Sequence, residues 1–364
     1  MKTTSIFTAI TFLLLIGTNI IGQEISKLLL NKIEPFKTMQ GSTADIVQVL
    51  PGERIIEKTS LDGKTFLFCL DKNGRRTKIY EGNPVDYFSH SQNGNRICFS
   101  TGGDEFIVKD VNTLQEFRFV KLDPVYLSRF ANISPDGEEI TFFKSKRLRN
   151  EGETLNDDII VVRNSSTKED RVIGNGGCPK WSPNSSQIVF SRVEGGKCDW
   201  TDYLWIVNSD CTGLRQLNST IHMGGAHVKW SSDGKYVMDS DREGNLRIVD
   251  VLKDEAVVIP MSRFGKAPDN ARKEPSNSSW SPDGKSILAE IMTYNFRDEM
   301  LDKELFLISV DGTKIEKLII PTLNNDEFRL NPKLFPIWLN NSELLFRNTQ
   351  QGNLWNKAVV RSAE

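Results

Sequence analysis

Trp280-Ser281-Pro282-Asp283-Gly284-Lys285, running straight on to the apolar pair Ile287-Leu288, is the phrase whose repetition decides the fold. A near copy, Trp230-Ser231-Ser232-Asp233-Gly234-Lys235, precedes Tyr236-Val237. Looser copies read Trp181-Ser182-Pro183-Asn184 before Ile188-Val189-Phe190, Ile133-Ser134-Pro135-Asp136-Gly137 before Ile140, and His90-Ser91-Gln92-Asn93-Gly94 before Ile97. Trp338-Leu339-Asn340-Asn341 before Leu344 closes the set. The turn residues at 93, 136, 184, 233 and 283 lie 43, 48, 49 and 50 residues apart. A fixed period of this size marks a repeat architecture whose units stack on one another to bury their apolar faces.

Each unit continues with a second phrase, a β-rich run, a turn and another run, as in Leu305 to Gly312 leading into Lys314 to Ile319. Asp-Gly and Asn-Gly pairs suit tight antiparallel turns because Gly and Asn accept positive φ at little cost. The spacing therefore predicts four antiparallel strands per unit, the blade of a β-propeller. The N-terminal region fits the same template, with Leu67 to Gly74 as its second phrase and Ala44 to Leu50 and Arg54 to Thr59 as its first two strands. The expected fold is all-β, a seven-bladed β-propeller over residues 44–364; the alternative is six blades plus a small N-terminal lobe. The last unit ends without an outer strand, and an open strand edge invites aggregation. The segment 23–43, and within it Ile25 to Ile33, is expected to cover that edge and close the ring.

The first residues read as a signal peptide, residues 1–22: Met1-Lys2 is basic, Ile6 to Ile16 is apolar, and small residues Gly17 and Gly22 follow. A periplasmic or secreted protein is expected. The apolar run falls short of the ~20 residues a spanning helix needs, so no membrane span is expected in the mature chain. A net charge of -2 with 26% charged residues of mixed sign gives no basic excess, which argues against nucleic acid as a partner.

The repeats, and above all Met238-Asp239-Ser240-Asp241-Arg242-Glu243-Gly244-Asn245-Leu246-Arg247-Ile248, resemble the WD-like repeats of the TolB-like propeller superfamily. The resemblance covers nearly the whole mature chain, is specific for fold and says little about activity. TolB itself carries a further N-terminal domain, for which the twenty or so residues before the first blade leave no room. Oligogalacturonate lyases, a related group, imply a metal and histidine site on one face of the propeller.

In a propeller, the loops that join consecutive blades and those that join the second and third strands share one face, where ligands are expected. Alignment of the units puts Tyr87, Phe130, Cys178, His227, Asn277 and Phe335 at one equivalent position, expected to ring the channel mouth on that face. His222 and His227, flanked by glycines, would suit metal binding or acid–base work. No carboxylate or third histidine accompanies them at ligand spacing, so the preferred reading makes one a loop residue and the other a backbone-bonded rim residue. His90, the third histidine, occupies the slot that Trp181, Trp230 and Trp280 fill elsewhere and is expected to pack between blades. Those tryptophans read as inter-blade core.

Asp199 and Trp200, in a polar insertion, could stack on and bond a sugar or peptide. Tyr294 and Arg297 lie in a second insertion, Met292 to Glu299, and a third spans Lys144 to Asp158. Loops of this length in a compact domain commonly bind something. No hydrolase elbow, phosphate loop, zinc pair or calcium loop is present, and neither a metal nor a cofactor is expected. Five cysteines occur. Cys69 and Cys98 lie in apolar runs as buried hydrophobes, Cys211 in a turn on the opposite face, and Cys178 and Cys198 near enough on the expected functional face to form a disulfide. Two functions follow: a binding or scaffold module for a protein, peptide or glycan, or a carbohydrate-active enzyme resembling oligogalacturonate lyase. The enzyme would use His222 and His227 with Arg129, Lys180 or Arg272 near the mouth; the binding module is preferred.

Overall fold

The computed structural model describes residues 26–29, 31–35, 45–101, 105–120, 126–146, 158–194, 201–221, 228–241, 243–319, 336–348 and 354–360. Its strands form seven sheets. Six of them are blades built in chain order, residues 45–82, 86–120, 126–175, 177–221, 229–259 and 271–319, each with four sequential antiparallel strands. The seventh blade takes Ile337–Trp338, Glu343–Asn348 and Leu354–Val359 from the C-terminal end and Asn31–Pro35 from the N-terminal end. Asn31–Pro35 pairs antiparallel with Leu354–Val359, so an N-terminal strand completes the C-terminal blade. Ser26–Leu29 adds to blade 6 as a fifth strand, parallel to Ile315–Ile319. The seven-bladed expectation holds, and the six-bladed alternative fails because residues 45–82 form a blade of the same pattern as the others.

The turn phrase does its work through side chains. The Ser231 and Ser281 hydroxyls donate to the carboxylates of Asp233 and Asp283 at 2.6 and 2.7 Å, and accept from the backbone N–H of Tyr236 and Ser286 at 2.9 and 3.0 Å. The same carboxylates accept from the N–H of Lys235 and Lys285. Gly234 and Gly284 follow at φ 71° and 70°, the left-handed conformation that costs other residues about 1 kcal/mol or more. Serine and aspartate thus satisfy the turn's polar groups while glycine reverses the chain.

The core is divided between blade interfaces. Leu50, Ile56 and Leu67 of blade 1 pack with Ile97, Phe99 and Ile107 of blade 2. Similar clusters join each following pair, and the last one sets Leu339, Leu345 and Trp355 of blade 7 against Ile46, Ile55 and Leu70 of blade 1. That last cluster closes the circle. The tryptophans take part as expected: Trp181 and Trp338 are buried, and Trp230 and Trp280 each donate an indole N–H to the first strand of the preceding blade, at Lys180 O (3.1 Å) and Lys229 O (3.0 Å). The Trp230 and Trp280 indoles thus bond one blade to the next as well as filling space. Among the described residues no helix is long and apolar enough to cross a membrane.

Candidate functional site around the central channel

The first strand of each blade lies at its sheet's inner edge, and successive first strands touch one another from blade 1 through blade 6. They form the wall of the central channel. Five of them carry a β-bulge at corresponding places, between Ile46 and Gln48, Asp86 and Ser89, Arg129 and Asn132, Gly177 and Lys180, and Pro275 and Asn277. A bulge re-aims the side chains around it and is common beside binding sites. Tyr87 and Cys178, at the equivalent position singled out in the sequence, stand in these bulges with φ of 53° and 52°.

The side chains at that position diverge. Tyr87 is 49% exposed, Cys178 is buried, and Asn277 is half-buried with its Oδ1 accepting from Lys229 Nζ at 3.2 Å. His222, His227, Asp199, Trp200, Cys198 and Phe335 lie outside the described residues, as do the side chains of Arg129 and Phe130. The histidine pair and the Cys178–Cys198 bond therefore stay expectations. Cys69 and Cys98 are buried as expected, and burial pushes the Cys98 thiol up to about 12.

The residue just before the slot filled by Val49, His90, Ile133, Trp181, Trp230, Trp280 and Trp338 forms a more coherent set. It is Gln48, Ser89, Asn132, Lys180, Lys229, Ser279 and Ile337 in blades 1 to 7, polar in all but the last. Bonds run between these neighbours around the channel. Asn132 donates to Pro179 O at 2.9 Å and accepts from Lys180 Nζ at 3.4 Å, the Ser89 hydroxyl accepts from Ile133 N–H, and Lys229 Nζ donates to Asn277 Oδ1 and to Ser278 O. The Ser279 hydroxyl is buried and has no hydrogen-bond partner in the structure. Desolvation lowers the Lys180 ammonium below the ordinary lysine value. Lys229 falls further, to about 8, first by desolvation and then by the positive charge of Lys180. Lysine before tryptophan in two consecutive units, Lys180-Trp181 and Lys229-Trp230, was the sequence signal for this pair.

Arg272, Tyr294 and Arg297 form a separate group on blade 6. Its first three strands, Ala271–Trp280, Ser286–Asn295 and Met300–Ser309, are ten residues long, and the hairpin between the second and third carries exposed Phe296 and Arg297. Arg272 lies over the Tyr294 ring, 5.4 Å from its centroid, and pairs with Glu274 and, at 2.8 Å, with Asp298. Two carboxylates thus balance its charge. It stands five residues up the strand from Asn277, about 17 Å at the usual strand rise, so Arg272 and Lys180 do not share a site.

On the opposite face the turns following the first strands surround a cavity of about 680 Å³. Every blade contributes one equivalent residue: Pro51, Gln92, Pro135, Pro183, Ser232, Pro282 and Asn340. His90 lines it too, half-buried, with Nδ1 2.8 Å from Ser91 O and its basicity lowered by burial. In blades 4 and 5 its lining residues, Pro183 and Ser232, follow Lys180 and Lys229 by three positions along the chain. Among the described residues no three His, Cys, Asp or Glu side chains cluster closely enough to hold a metal ion.

No protein-family model and no curated protein matches the sequence. Solved structures do match in three dimensions. An oligogalacturonate lyase in complex with manganese superposes with a TM-score of 0.60 at 15% identity, over 93% of this chain and 99% of that one. An oligogalacturonate lyase from Vibrio parahaemolyticus gives 0.63 at 14% identity, over 93% and 98%. The Cps50 (Swd1) β-propeller domain from Myceliophteria thermophila gives 0.58 at 12%, over 91% and 100%. Likeness at this identity speaks to fold alone, and with the blade count and ring closure it gives the conclusion: the chain is a seven-bladed β-propeller.

Proposed function

We propose that the protein is an exported binding or scaffold module that holds a protein, peptide or glycan on the face where consecutive blades are joined. Residues 1–22 serve as its export signal and place it in the periplasm or outside the cell. The observation that supports this most is the lengthened hairpin of blade 6, which exposes Phe296 over 71% of its surface beside Arg297 and Tyr294. An aromatic ring, a cation and a phenol at the tip of a rigid hairpin suit a sugar or peptide. The insertion carrying Asp199 and Trp200 would enlarge the same face.

A second reading, a lyase, draws on the overlap with two oligogalacturonate lyases over nearly their full lengths. It is the weaker one, because two of its proposed residues, Lys180 and Arg272, sit at different levels of blades 4 and 6, and Arg272 is already paired. The test is a binding assay of the mature protein against pectic and peptidoglycan fragments and peptide libraries, with a Phe296→Ala, Arg297→Ala double variant. Binding by the parent that weakens tenfold or more in the variant supports the binding module. Release of unsaturated uronides by the parent would replace it with the lyase.

A further inference from the structure

We propose that the central channel is an oxyanion site, in which Lys180 and Lys229 on adjacent blades grip a carboxylate or phosphate group. The inference stands apart from whatever the loops of the blade-joining face hold.

Three observations carry it. First, the two ammonium groups occupy the same place in consecutive units, on the channel wall, near enough for one charge to act on the other. Neither forms an ion pair with a carboxylate among the described residues, although the covered lysines Lys273 and Lys303 do so. Buried or half-buried cations are ordinarily paired, and two unpaired ones side by side create a field that an anion relieves. Secondly, donors are left over. Lys180 Nζ makes a single long bond, 3.4 Å to Asn132, and the Ser279 hydroxyl beside Lys229 has no hydrogen-bond partner at all. Thirdly, there is a way in: the proline-ringed cavity of about 680 Å³ is lined in blades 4 and 5 by Pro183 and Ser232, three residues along the chain from Lys180 and Lys229.

The ligand is thus a small anion, or the anionic end of a larger molecule, that enters from the face opposite the blade-joining loops. Carboxylate and phosphate share the recognition chemistry, and the experiment separates them. Isothermal titration calorimetry of the mature protein at fixed ionic strength, with chloride as background, would use inorganic phosphate in one arm and galacturonate in the other. Saturable binding is expected in at least one arm, and the stronger arm names the class. Removing one charged donor should weaken it roughly tenfold to a hundredfold in Lys180→Met and in Lys229→Met, while Lys229→Arg stays close to the parent. Should Lys229→Met not fold, Lys180→Met alone decides. Absence of saturable binding in both arms, or equal affinity in the parent and the Met variants, overturns the proposal.

Discussion

Replacing Lys229 by methionine should make the protein more stable at neutral pH, and by an amount that depends on pH in a defined direction. Methionine keeps the length of the side chain and discards the charge. The fall of the lysine from 10.5 to about 8 in the folded protein corresponds to about 3 kcal/mol of disfavoured charge. Against this, the variant loses the bonds to Asn277 Oδ1 and Ser278 O, worth about 1 kcal/mol each. Asn277 Oδ1 retains the backbone N–H of Ser278, so it is not orphaned. The net gain at pH 7 is about 1 kcal/mol. The pH dependence is the sharper quantity. A lysine whose pKa is depressed by folding binds its proton less well in the native state, so parental stability rises as pH climbs from about 8 towards the unfolded value near 10.4. The advantage of the variant is therefore largest below pH 8 and shrinks by about 3 kcal/mol across that window, leaving it the less stable form at the top. The charged group facing Lys229 is Lys180, and the carboxyl side chains of the described residues form no ion pair with either, so no acidic partner reverses the sign. Urea denaturation of both proteins between pH 6.5 and 10.5, in buffers free of phosphate and carboxylate, measures the difference directly. A difference that stays flat, or that grows with pH, would refute the reasoning.

The remaining predictions concern the ring. A mature protein truncated to begin at residue 36 lacks the outer strand of blade 7 and should lose its cooperative thermal transition or aggregate, followed by calorimetry and light scattering. Trp230→Phe and Trp280→Phe should each cost roughly 1–2 kcal/mol in chemical denaturation, since each strips a channel-wall carbonyl of its indole donor. Gly94→Ala should cost about 2 kcal/mol or more, because Gly94 sits at φ 65° and a Cβ there would fall 2.8 Å from Pro51 Cδ of blade 1. Intact-mass analysis after alkylation of the native protein should find Cys98 unlabelled, its thiol buried and held up to about 12, and Cys178 and Cys198 labelled only after reduction. Labelling of both without reductant would remove the proposed disulfide.

The blades were legible because each turn needs the same chemistry. Ser281, Asp283 and Gly284 satisfy and reverse one hairpin, and their counterparts in other units do the same job, so the period shows even where Trp280 becomes Ile133 or His90. The binding chemistry follows no such rule. Lys180 and Lys229 are 49 residues apart and meet only because consecutive first strands line one channel. A single Lys-Trp pair looks like a solvated lysine beside a core residue; its meaning depends on what the neighbouring blade presents. Arg272 shows the converse. Its charge suggested a role at the mouth, yet Glu274 and Asp298 lie beside it in space, and strand length carries it away from the lysines.

An experimental structure of the mature protein grown with phosphate or galacturonate tests the central claim most directly. The account predicts a closed circle of seven blades with an oxyanion within hydrogen-bonding distance of both the Lys180 and the Lys229 amine. A carboxylate side chain of the protein's own seated between those two amines, with no bound anion, would contradict it.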